Sequence, residues 1–362
     1  MQLKIKAEKL KEMVGRVVKG ASNNKLIPIT SLMAVELKDN ILTLITTDAT
    51  NYLYIRETKV EGDDFYVVVP VEIFAKLISK LTCETVTLTL AEKMNVLEVK
   101  GNGNYSIELP MDEDGGMIKY PDPFDAFELG DKDVKEIHAS TIASILNSIK
   151  PALATTVEMP CYTGYYVSDK VVGTDTYVIA SMDVNVSDEP MLISQEMMNL
   201  LGVMTSEKIQ MCVDDKVVVL TSPDCVIYGT QMEGIDEYSI DAISALVDSD
   251  FKSSCKVSKS ALLQVLDRLA LFVGAYDKNG ITLTFTKEGL QISSKSSSGI
   301  EMIDYMESKK FKSFTCMIDI MSFATQVKAQ SSDAVTIHYG EDNAIKMTDG
   351  NLTQIVSLMQ EE

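Results

Sequence analysis

Hydrophobic and polar positions alternate regularly in three long segments of the chain. The segments begin at Glu84, Glu207 and Asp333, so their starts lie 123 and 126 residues apart. Each segment opens with an acidic residue and holds three alternating runs that are separated by polar turns. A period of two is the pattern of a half-buried strand, and short polar turns join antiparallel strands. The pattern therefore predicts a three-stranded antiparallel meander at each of three places.

Apolar residues at helical spacing precede each meander, and a second helical pattern opens each third of the chain. In the middle third, Ser140 is placed to cap the helix N-terminus and Pro151 to end the helix. In the last third, the opening helix starts near Ser258. The spacing predicts the remaining helices over 7–19, 71–81, 195–204 and 319–329.

The dipeptide Thr-Asp recurs within the strand patterns between the helices, as Thr47-Asp48 and as Thr174-Asp175. The joins between units fall near 121–127, which carries two prolines, and near 238–250, which opens on a similar tyrosine. The sequence therefore predicts an α+β protein with three similar domains, over 1–125, 126–250 and 251–362. Threefold repetition argues against one active site, because a catalytic pocket seldom recurs in triplicate.

Charge is distributed unevenly over these three domains. The chain has 362 residues, of which 53 are acidic and 33 basic, for a formal net charge of −20. The middle domain accounts for −15 of this charge, whereas the first and third carry −4 and −1. An exterior this acidic excludes nucleic-acid binding over the whole surface, but a local basic strip remains compatible with it.

Several features favour a cytoplasmic protein. No apolar run is long enough to span a membrane, and the N-terminus has no apolar block of the secretory type. The six cysteines form no CxxC pair and are expected to be reduced thiols rather than a zinc site or a disulfide framework.

Basic residues concentrate on the predicted helices. Lys9, Arg16 and Lys19 share one face of the first helix, and Lys76 and Lys80 lie one turn apart on the next. One interpretation is a set of ordinary solvated helix faces. The other is a positive strip that faces a polyanion inside a negative shell, although the middle domain contributes little to it.

Candidate catalytic and cofactor-binding motifs in the sequence lack residues that their chemistry requires. The run from Asp112 to Gly115 resembles a calcium loop, but its glycine comes too early and Pro123 stands where the loop needs Glu. Gly101 and Gly103 lie in a hairpin turn, and no phosphate-binding loop of the Walker type is present. With only two histidines, 200 residues apart, we expect no catalytic activity, no metal and no cofactor.

The order of these features resembles the bacterial DNA polymerase III beta subunit, the sliding clamp, over the whole chain. Its local marks are Ile27-Pro28-Ile29, Thr47-Asp48, Tyr120-Pro121 and the segment VVGTDTYVIA; none is specific alone, but their order and spacing together are. The resemblance implies a closed ring of two chains joined head to tail, with helices lining a central hole and antiparallel sheets outside. It also implies a non-catalytic processivity factor that encircles duplex DNA without sequence preference. The expected DNA-facing residues are Lys9, Arg16, Lys19, Lys25, Lys76, Lys80, Lys150, Lys259, Arg268 and Lys328.

The family also implies a groove between the second and third domains that takes short peptides of the DNA polymerase and the clamp loader. Thr176-Tyr177-Val178 stands where the family commonly has Gly-His-Arg, and the tail ends in acidic residues. These departures favour a divergent clamp, such as a phage-encoded one, with its own peptide preference. Ordinary strand packing is the alternative role for Val178 and Val356. Carried over by position, the groove lining is Tyr162, Thr174, Tyr177, Val178, Ile179, Val356, Leu358 and Met359.

The ring contact follows from the same resemblance. The edge strand with Tyr105 and Ile107 is expected to meet Leu271 and Phe272 of a second copy. Packing of Phe272 inside its own domain is the alternative.

Two other functions remain open at this point. The strongly negative middle domain also fits a clamp-like decoy that sequesters a polymerase or a loader without encircling DNA. An enzyme on an α+β scaffold is the third possibility, and no motif supports it.

Overall fold

The structure is a computed structural model that describes residues 1–90, 95–127, 133–156, 158–274, 279–294, 298–341 and 343–360. The described residues form two compact units. The first unit holds Met1–Ile142 and Glu196–Gln231, and the second holds Ala143–Gln195 and Met232–Glu362. The three domain boundaries expected from the sequence stay a prediction, because each unit combines strands from neighbouring repeats.

The helices confirm most of the apolar spacing. They are α1 Ala7–Val17, α2 Val71–Lys80, α3 Ala139–Ser148, α4 Gln195–Leu201, α5 Ile240–Val247, α6 Lys259–Leu269 and α7 Ile320–Ala329. The Ser258 hydroxyl accepts a hydrogen bond from the amide of Ala261 and caps α6, as predicted. The cap predicted at Ser140 is wrong, because α3 begins one residue earlier, at Ala139. Helix α5 was not predicted, and it occupies the second join.

The strands of the first 138 residues are β1 Gln2–Lys6, β2 Leu32–Lys38, β3 Ile41–Thr47, β4 Tyr52–Thr58, β5 Glu61–Gly62, β6 Phe65–Pro70, β7 Thr85–Leu90, β8 Val96–Lys100, β9 Asn104–Glu108 and β10 Val134–His138. Those that follow up to residue 230 are β11 Tyr165–Val167, β12 Val171–Thr174, β13 Val178–Met182, β14 Met191–Ile193, β15 Lys208–Asp214, β16 Val217–Ser222 and β17 Cys225–Thr230. The remainder are β18 Ser253–Ser258, β19 Gly280–Phe285, β20 Leu290–Ser294, β21 Ile300–Ile303, β22 Glu307–Lys309, β23 Phe314–Asp319, β24 Ala334–Tyr339, β25 Ala344–Asp349 and β26 Leu352–Ser357.

Each unit contains two antiparallel sheets. In the first unit the orders are β5-β1-β7-β8-β9 and β10-β15-β16-β17-β4-β3-β2-β6. In the second unit they are β14-β11-β12-β13-β26-β25-β24-β18-β22 and β21-β20-β19-β23. The three predicted meanders are present as β7-β8-β9, β15-β16-β17 and β24-β25-β26, which confirms the alternating pattern.

The recurring Thr-Asp dipeptide forms the same tight turn twice. In the first unit the Thr47 hydroxyl donates to the Asn51 carbonyl at 2.7 Å, and the Asp48 carboxylate accepts from the Asn51 amide at 2.7 Å. The side chains thus reinforce the backbone hydrogen bond from Asp48 to Asn51 at the tip of the hairpin. In the second unit the same two contacts join Thr174 and Asp175 to Val178, at 2.6 and 2.7 Å.

Each unit has an aromatic cluster packed against its large sheet. In the first unit Tyr54 and Tyr120 are buried with Val219 and Val226. In the second unit Tyr162, Tyr166 and Tyr238 are buried together with strand residues. Tyr120 and Tyr238, the two tyrosines that mark the joins in the sequence, are therefore core residues.

Candidate functional site

The exposed faces of α1 and α2 form a shallow basic cleft in the first unit. Leu10, Met13 and Val17 of α1 are buried, and so are Phe74 and Ile78 of α2, which leaves the polar faces to solvent. The two helices pack side by side and enclose a cleft of about 400 Å³. Its lining includes Lys11, Gly15, Lys76 and Ser79.

Two of the basic residues on α1 are engaged in ion pairs within the first unit. Lys9 Nζ lies 2.9 Å from the Glu57 carboxylate and 3.1 Å from that of Glu12. Arg16 is more deeply held, with a side chain that is only 12% exposed. Its Nη1 lies 2.6 Å from Asp224 Oδ2, and its Nε donates to the Val203 carbonyl at 3.0 Å. Arg16 therefore joins α1 to the turn between β16 and β17.

The carboxylate of Asp224 is matched to this guanidinium. The Ser222 hydroxyl donates to it at 3.2 Å and the Thr205 hydroxyl at 3.3 Å. Burial raises the pKa of Asp224, but the hydrogen bond and charge of Arg16, together with these hydroxyls, hold it below its usual value. Burial lowers the pKa of Arg16, and the contact with Asp224 more than offsets this. Arg16 and Asp224 therefore form an ion pair that stabilises the position of α1.

Other expected DNA-facing residues of the first unit are exposed. Lys19, Lys25 and Lys80 lie on the surface and have no ion pair with any residue that the structure describes. Lys76 is 70% exposed and pairs with Glu72 one turn earlier on α2. An exposed pair of this kind contributes little to stability and leaves the lysine accessible.

Four expected DNA-facing residues lie in the second unit. Lys259 and Arg268 make hydrogen bonds within that unit, and Lys150 and Lys328 are exposed. Lys259 Nζ donates to the carbonyls of Lys328 and Gln330, at 3.2 and 2.5 Å, and so caps the C-terminal end of α7. Arg268 makes a two-pronged contact with Glu301, at 2.8 and 2.5 Å. Lys150 and Lys328 are exposed. Lys328 also lines a polar cleft of about 440 Å³ between α3 and α7.

Expected groove residues surround the tyrosine cluster of the second unit. The rings of Tyr162 and Tyr238 meet edge to face at 5.0 Å, and those of Tyr166 and Tyr238 stack at 5.2 Å. Ile179 and Ile243 belong to the same buried cluster. The cluster therefore joins β13 to α5 with aromatic side chains.

Tyr177 lies at the tip of the second Thr-Asp turn. Its side chain is 72% exposed, whereas Thr174 beneath it is buried. Thr176, between them, has φ of +79°, a left-handed conformation that is costly for a β-branched residue. The turn thus holds a tyrosine out in solvent at the cost of local strain.

The last strand ties the C-terminal segment into the second unit. Val178 and Val356 are register partners of β13 and β26, and both are buried. Leu358 and Met359 line a cavity of about 310 Å³, and the amide of Met359 donates to the Met317 carbonyl at 2.8 Å. Val178 and Val356 therefore pack within the large sheet, and Leu358 and Met359 lie at the cavity beside Met317.

The residues expected at the ring contact lie at or near sheet edges. Strand β9 is the outer strand of the small sheet of the first unit, and β21 is an outer strand of the small sheet of the second. Tyr105 is 38% exposed on β9, but Ile107 points into the core. Leu271 is 82% exposed and Phe272 is 49% exposed, with one face of the Phe272 ring beside Gly299.

Comparison with solved structures gives full-length matches. The clamp of Streptococcus pyogenes (the beta subunit of its DNA polymerase) superposes with a TM-score of 0.88 at 16% identity, and the Bacillus subtilis sliding clamp with 0.87 at 16%. The beta subunit of Thermotoga maritima DNA polymerase III gives 0.83 at 17%. Each match covers 100% of both chains. The chain has the sliding-clamp fold.

Residues 1–114 also match the family model of the DNA polymerase III beta subunit, N-terminal domain. No curated protein sequence matches the chain significantly. The resemblance found in the sequence and its α+β class are therefore confirmed by the sliding-clamp fold, although the sequence has diverged far from these structures.

Sequence reasoning missed two parts of the sites on this clamp fold. Lys11 lines the cleft between α1 and α2, but the predicted basic face of Lys9, Arg16 and Lys19 does not include it. Helix α5 brings Ile243 and Val247 to the tyrosine cluster. The spacing of Ile240, Ile243 and Val247 by three and four residues was the signal that could have shown it.

The described residues contain neither a cluster of metal ligands nor a helix that could span a membrane. Among the residues described, no three His, Cys, Asp or Glu side chains come close enough to hold a metal ion. No helix within the described ranges combines the length and apolar content needed to cross a bilayer. All six cysteines are free thiols, and five of them are buried.

Proposed function

We propose that this protein is a DNA sliding clamp, a non-catalytic processivity factor that encircles duplex DNA and tethers a replicative DNA polymerase. The observation that carries the proposal is the match to bacterial clamps along 100% of both chains. The proposal includes three repeated domains per chain, a head-to-tail dimer, the DNA polymerase and the clamp loader as partners, and a cytoplasmic location.

The DNA surface in this proposal is the set of exposed helix-borne cations. Lys19, Lys76 and Lys80 of the first unit and Lys150 and Lys328 of the second are exposed, and their positive charges would meet phosphates. Lys25 extends the set in the loop after α1. Such contacts are independent of base sequence and weak individually, which permits sliding. Arg16 and Lys259 support this surface from within by holding α1 and α7 in place.

Ring closure in this proposal uses the outer strands β9 and β21 of two copies. An unpaired edge with exposed apolar side chains needs to be covered. Tyr105 on β9 and Ile300 and Met302 on β21 are exposed at 38%, 55% and 48%, and they offer such side chains on both edges. Leu271 and Phe272 add apolar surface beside β21.

The experiment that tests the function is retention on circular DNA. The wild-type chain and the variant Lys19→Glu/Lys80→Glu are loaded by the cognate loader onto nicked circular DNA, and the bound fraction is followed over time and salt. Lys38→Glu/Lys100→Glu is the matched control, because both of its lysines are exposed on strands of the same unit. The proposal predicts that the wild type is retained until the circle is cut, and that the first variant is lost faster. Each lost phosphate contact should reduce the salt slope by about one.

Solution mass provides the second readout. A two-chain ring predicts a mass near twice 39.9 kDa at micromolar concentration. A chain that stays at 39.9 kDa and is never retained on a closed circle would refute the clamp function. If the variant Lys19→Glu/Lys80→Glu left function intact, the decoy hypothesis would replace the clamp proposal.

A further inference from the structure

Around the tyrosine cluster of the second unit, three large apolar side chains are left exposed. Tyr177 is 72% exposed, Met159 48% and Leu246 47%. Each lies within three residues of a cluster member: Met159 next to the turn that carries Tyr162, Tyr177 at the start of β13, and Leu246 in α5. An exposed aromatic side chain on a rigid turn over an apolar core is the kind of residue that anchors a binding partner.

The charge next to this surface has one sign. The segment 233–250, which includes α5, contains six acidic residues and no basic residue. Asp236, Glu237 and Asp241 are exposed in it. Two of these carboxylates lie close enough to act on cluster members. Burial is the main cause that raises the pKa of the Cys161 thiol and of Tyr166; the charge of Glu237 is the next cause for Cys161, and the charge of Asp241 adds a smaller rise for Tyr166.

Two lysines contact α5, but the exposed charges at the outer edge of this surface remain negative. Lys170 Nζ donates to the Ser244 hydroxyl at 2.9 Å. Lys346 Nζ donates to the carbonyls of Val247 and Ser249, at 2.6 and 3.1 Å, at the C-terminal end of the helix. Both ammonium groups are half-buried and directed at α5, so the carboxylates form the outer rim.

We infer that the partner segment taken by this surface is a basic linear peptide, with lysine or arginine residues flanking one or two apolar anchors. The inference rests on the proposed function, in which this chain tethers a DNA polymerase, and it names the chemistry of the polymerase segment that binds. Apolar contact with Tyr177, Met159 and Leu246 would supply most of the affinity. The carboxylates of α5 and of the preceding turn would select positive flanks and reject acidic ones, because opposite charges speed association and like charges oppose it.

The test is a selection of displayed random twelve-residue peptides on the full-length protein, followed by affinity measurement with labelled synthetic copies. The inference predicts peptides enriched in lysine and arginine next to leucine, isoleucine or phenylalanine. The variant Glu237→Lys/Asp241→Lys should bind them about tenfold more weakly. Asp214→Lys/Asp215→Lys is the matched control, because it makes the same charge change on an exposed hairpin of the first unit and should bind normally. Tyr177→Ala should weaken binding regardless of salt, whereas the effect of the charge variant should fade at high salt.

The outcomes separate the two proposals. Recovery of neutral or acidic peptides, or an unchanged affinity in the Glu237→Lys/Asp241→Lys variant, would overturn the inference while the clamp function stands. Recovery of no peptide at all would overturn both the inference and the partner surface of the proposed function, and retention on circular DNA would still report on the ring. Thermal unfolding and solution mass of each variant show whether it is folded.

Discussion

The contact between Arg16 and Asp224 gives the sharpest test of how the basic face of α1 is built. Arg16 Nη1 and Asp224 Oδ2 are 2.6 Å apart, and the two side chains are 12% and 30% exposed. Charge-assisted hydrogen bonds of this kind contribute about 1.5–3 kcal/mol. Because both side chains are largely withdrawn from water, we expect a coupling energy of about 2 kcal/mol, a factor of about 30 in the opening equilibrium.

The perturbation is a double-mutant cycle of Arg16→Met and Asp224→Asn. The assay is native-state hydrogen exchange of peptides that span α1, read by mass spectrometry, because it reports the local free energy of opening in a chain with two compact units. Asp215→Asn, an exposed aspartate on the neighbouring hairpin, is the control and should leave exchange in α1 unchanged.

The pH dependence of the coupling has a fixed sign. The pKa of folded Asp224 lies below its usual value, so its stabilising contribution is complete above about pH 5 and falls as the pH drops through the folded pKa. The coupling measured at pH 7 should therefore shrink towards pH 3. A coupling below about 0.5 kcal/mol at pH 7, or one that is equal at both pH values, would refute the argument that Asp224 holds α1 through Arg16.

Three further changes have expected outcomes. Thr176→Gly should stabilise the second unit by about 1 kcal/mol in urea unfolding, since glycine adopts a φ of +79° without strain; Ala49→Gly, at φ of +89° in the first unit, should gain less, and equal gains would contradict strain from β-branching. His338→Gln should flatten the loss of stability between pH 7 and pH 5, because burial and then Lys346 lower the pKa of His338, so that the unfolded chain takes up the proton first. The slope of the thermal-unfolding temperature with pH, compared between the wild type and the variant, checks this; an unchanged slope would contradict it. Gly15→Ala should raise stability by about 1 kcal/mol, because an added Cβ meets nothing within 4 Å and the residue lies inside α1; a loss of stability would show that the cleft needs the glycine.

The sequence predicted the parts of the fold that depend on local periodicity. The apolar stripe of α1 and the alternating pattern of β7, β8 and β9 follow from which side faces the core, and both are present. The Thr-Asp repeat marked a real turn, because its hydrogen bonds are made within five residues. The same reasoning placed the cap of α3 one residue too late, since cap positions depend on how the preceding strand ends.

The ion pairs of the candidate site were less predictable, because each joins residues that are far apart in the sequence. Helical spacing grouped Lys9, Arg16 and Lys19 on one face, but Lys9 and Arg16 form ion pairs, whereas Lys19 forms none with the residues that the structure describes. The partners of the other two, Glu57 and Asp224, come from strands far along the chain. No local pattern signals that an exposed-looking arginine on a helix is bound by a turn 208 residues away.

The continuous sheet of the first unit has a consequence for synthesis of the protein on the ribosome. Strand β4 pairs with β17, through contacts such as Ile55 with Cys225, so the edge of β4 has no partner until β17 has been made. At 5–20 residues per second this wait lasts roughly ten to thirty seconds. During that time β4 presents an unpaired, largely apolar edge of the kind that nascent-chain chaperones protect. Strand β13 waits in the same way for β26, which lies far along the chain from it. A chain without β26 would therefore have the large sheet of the second unit open along its middle.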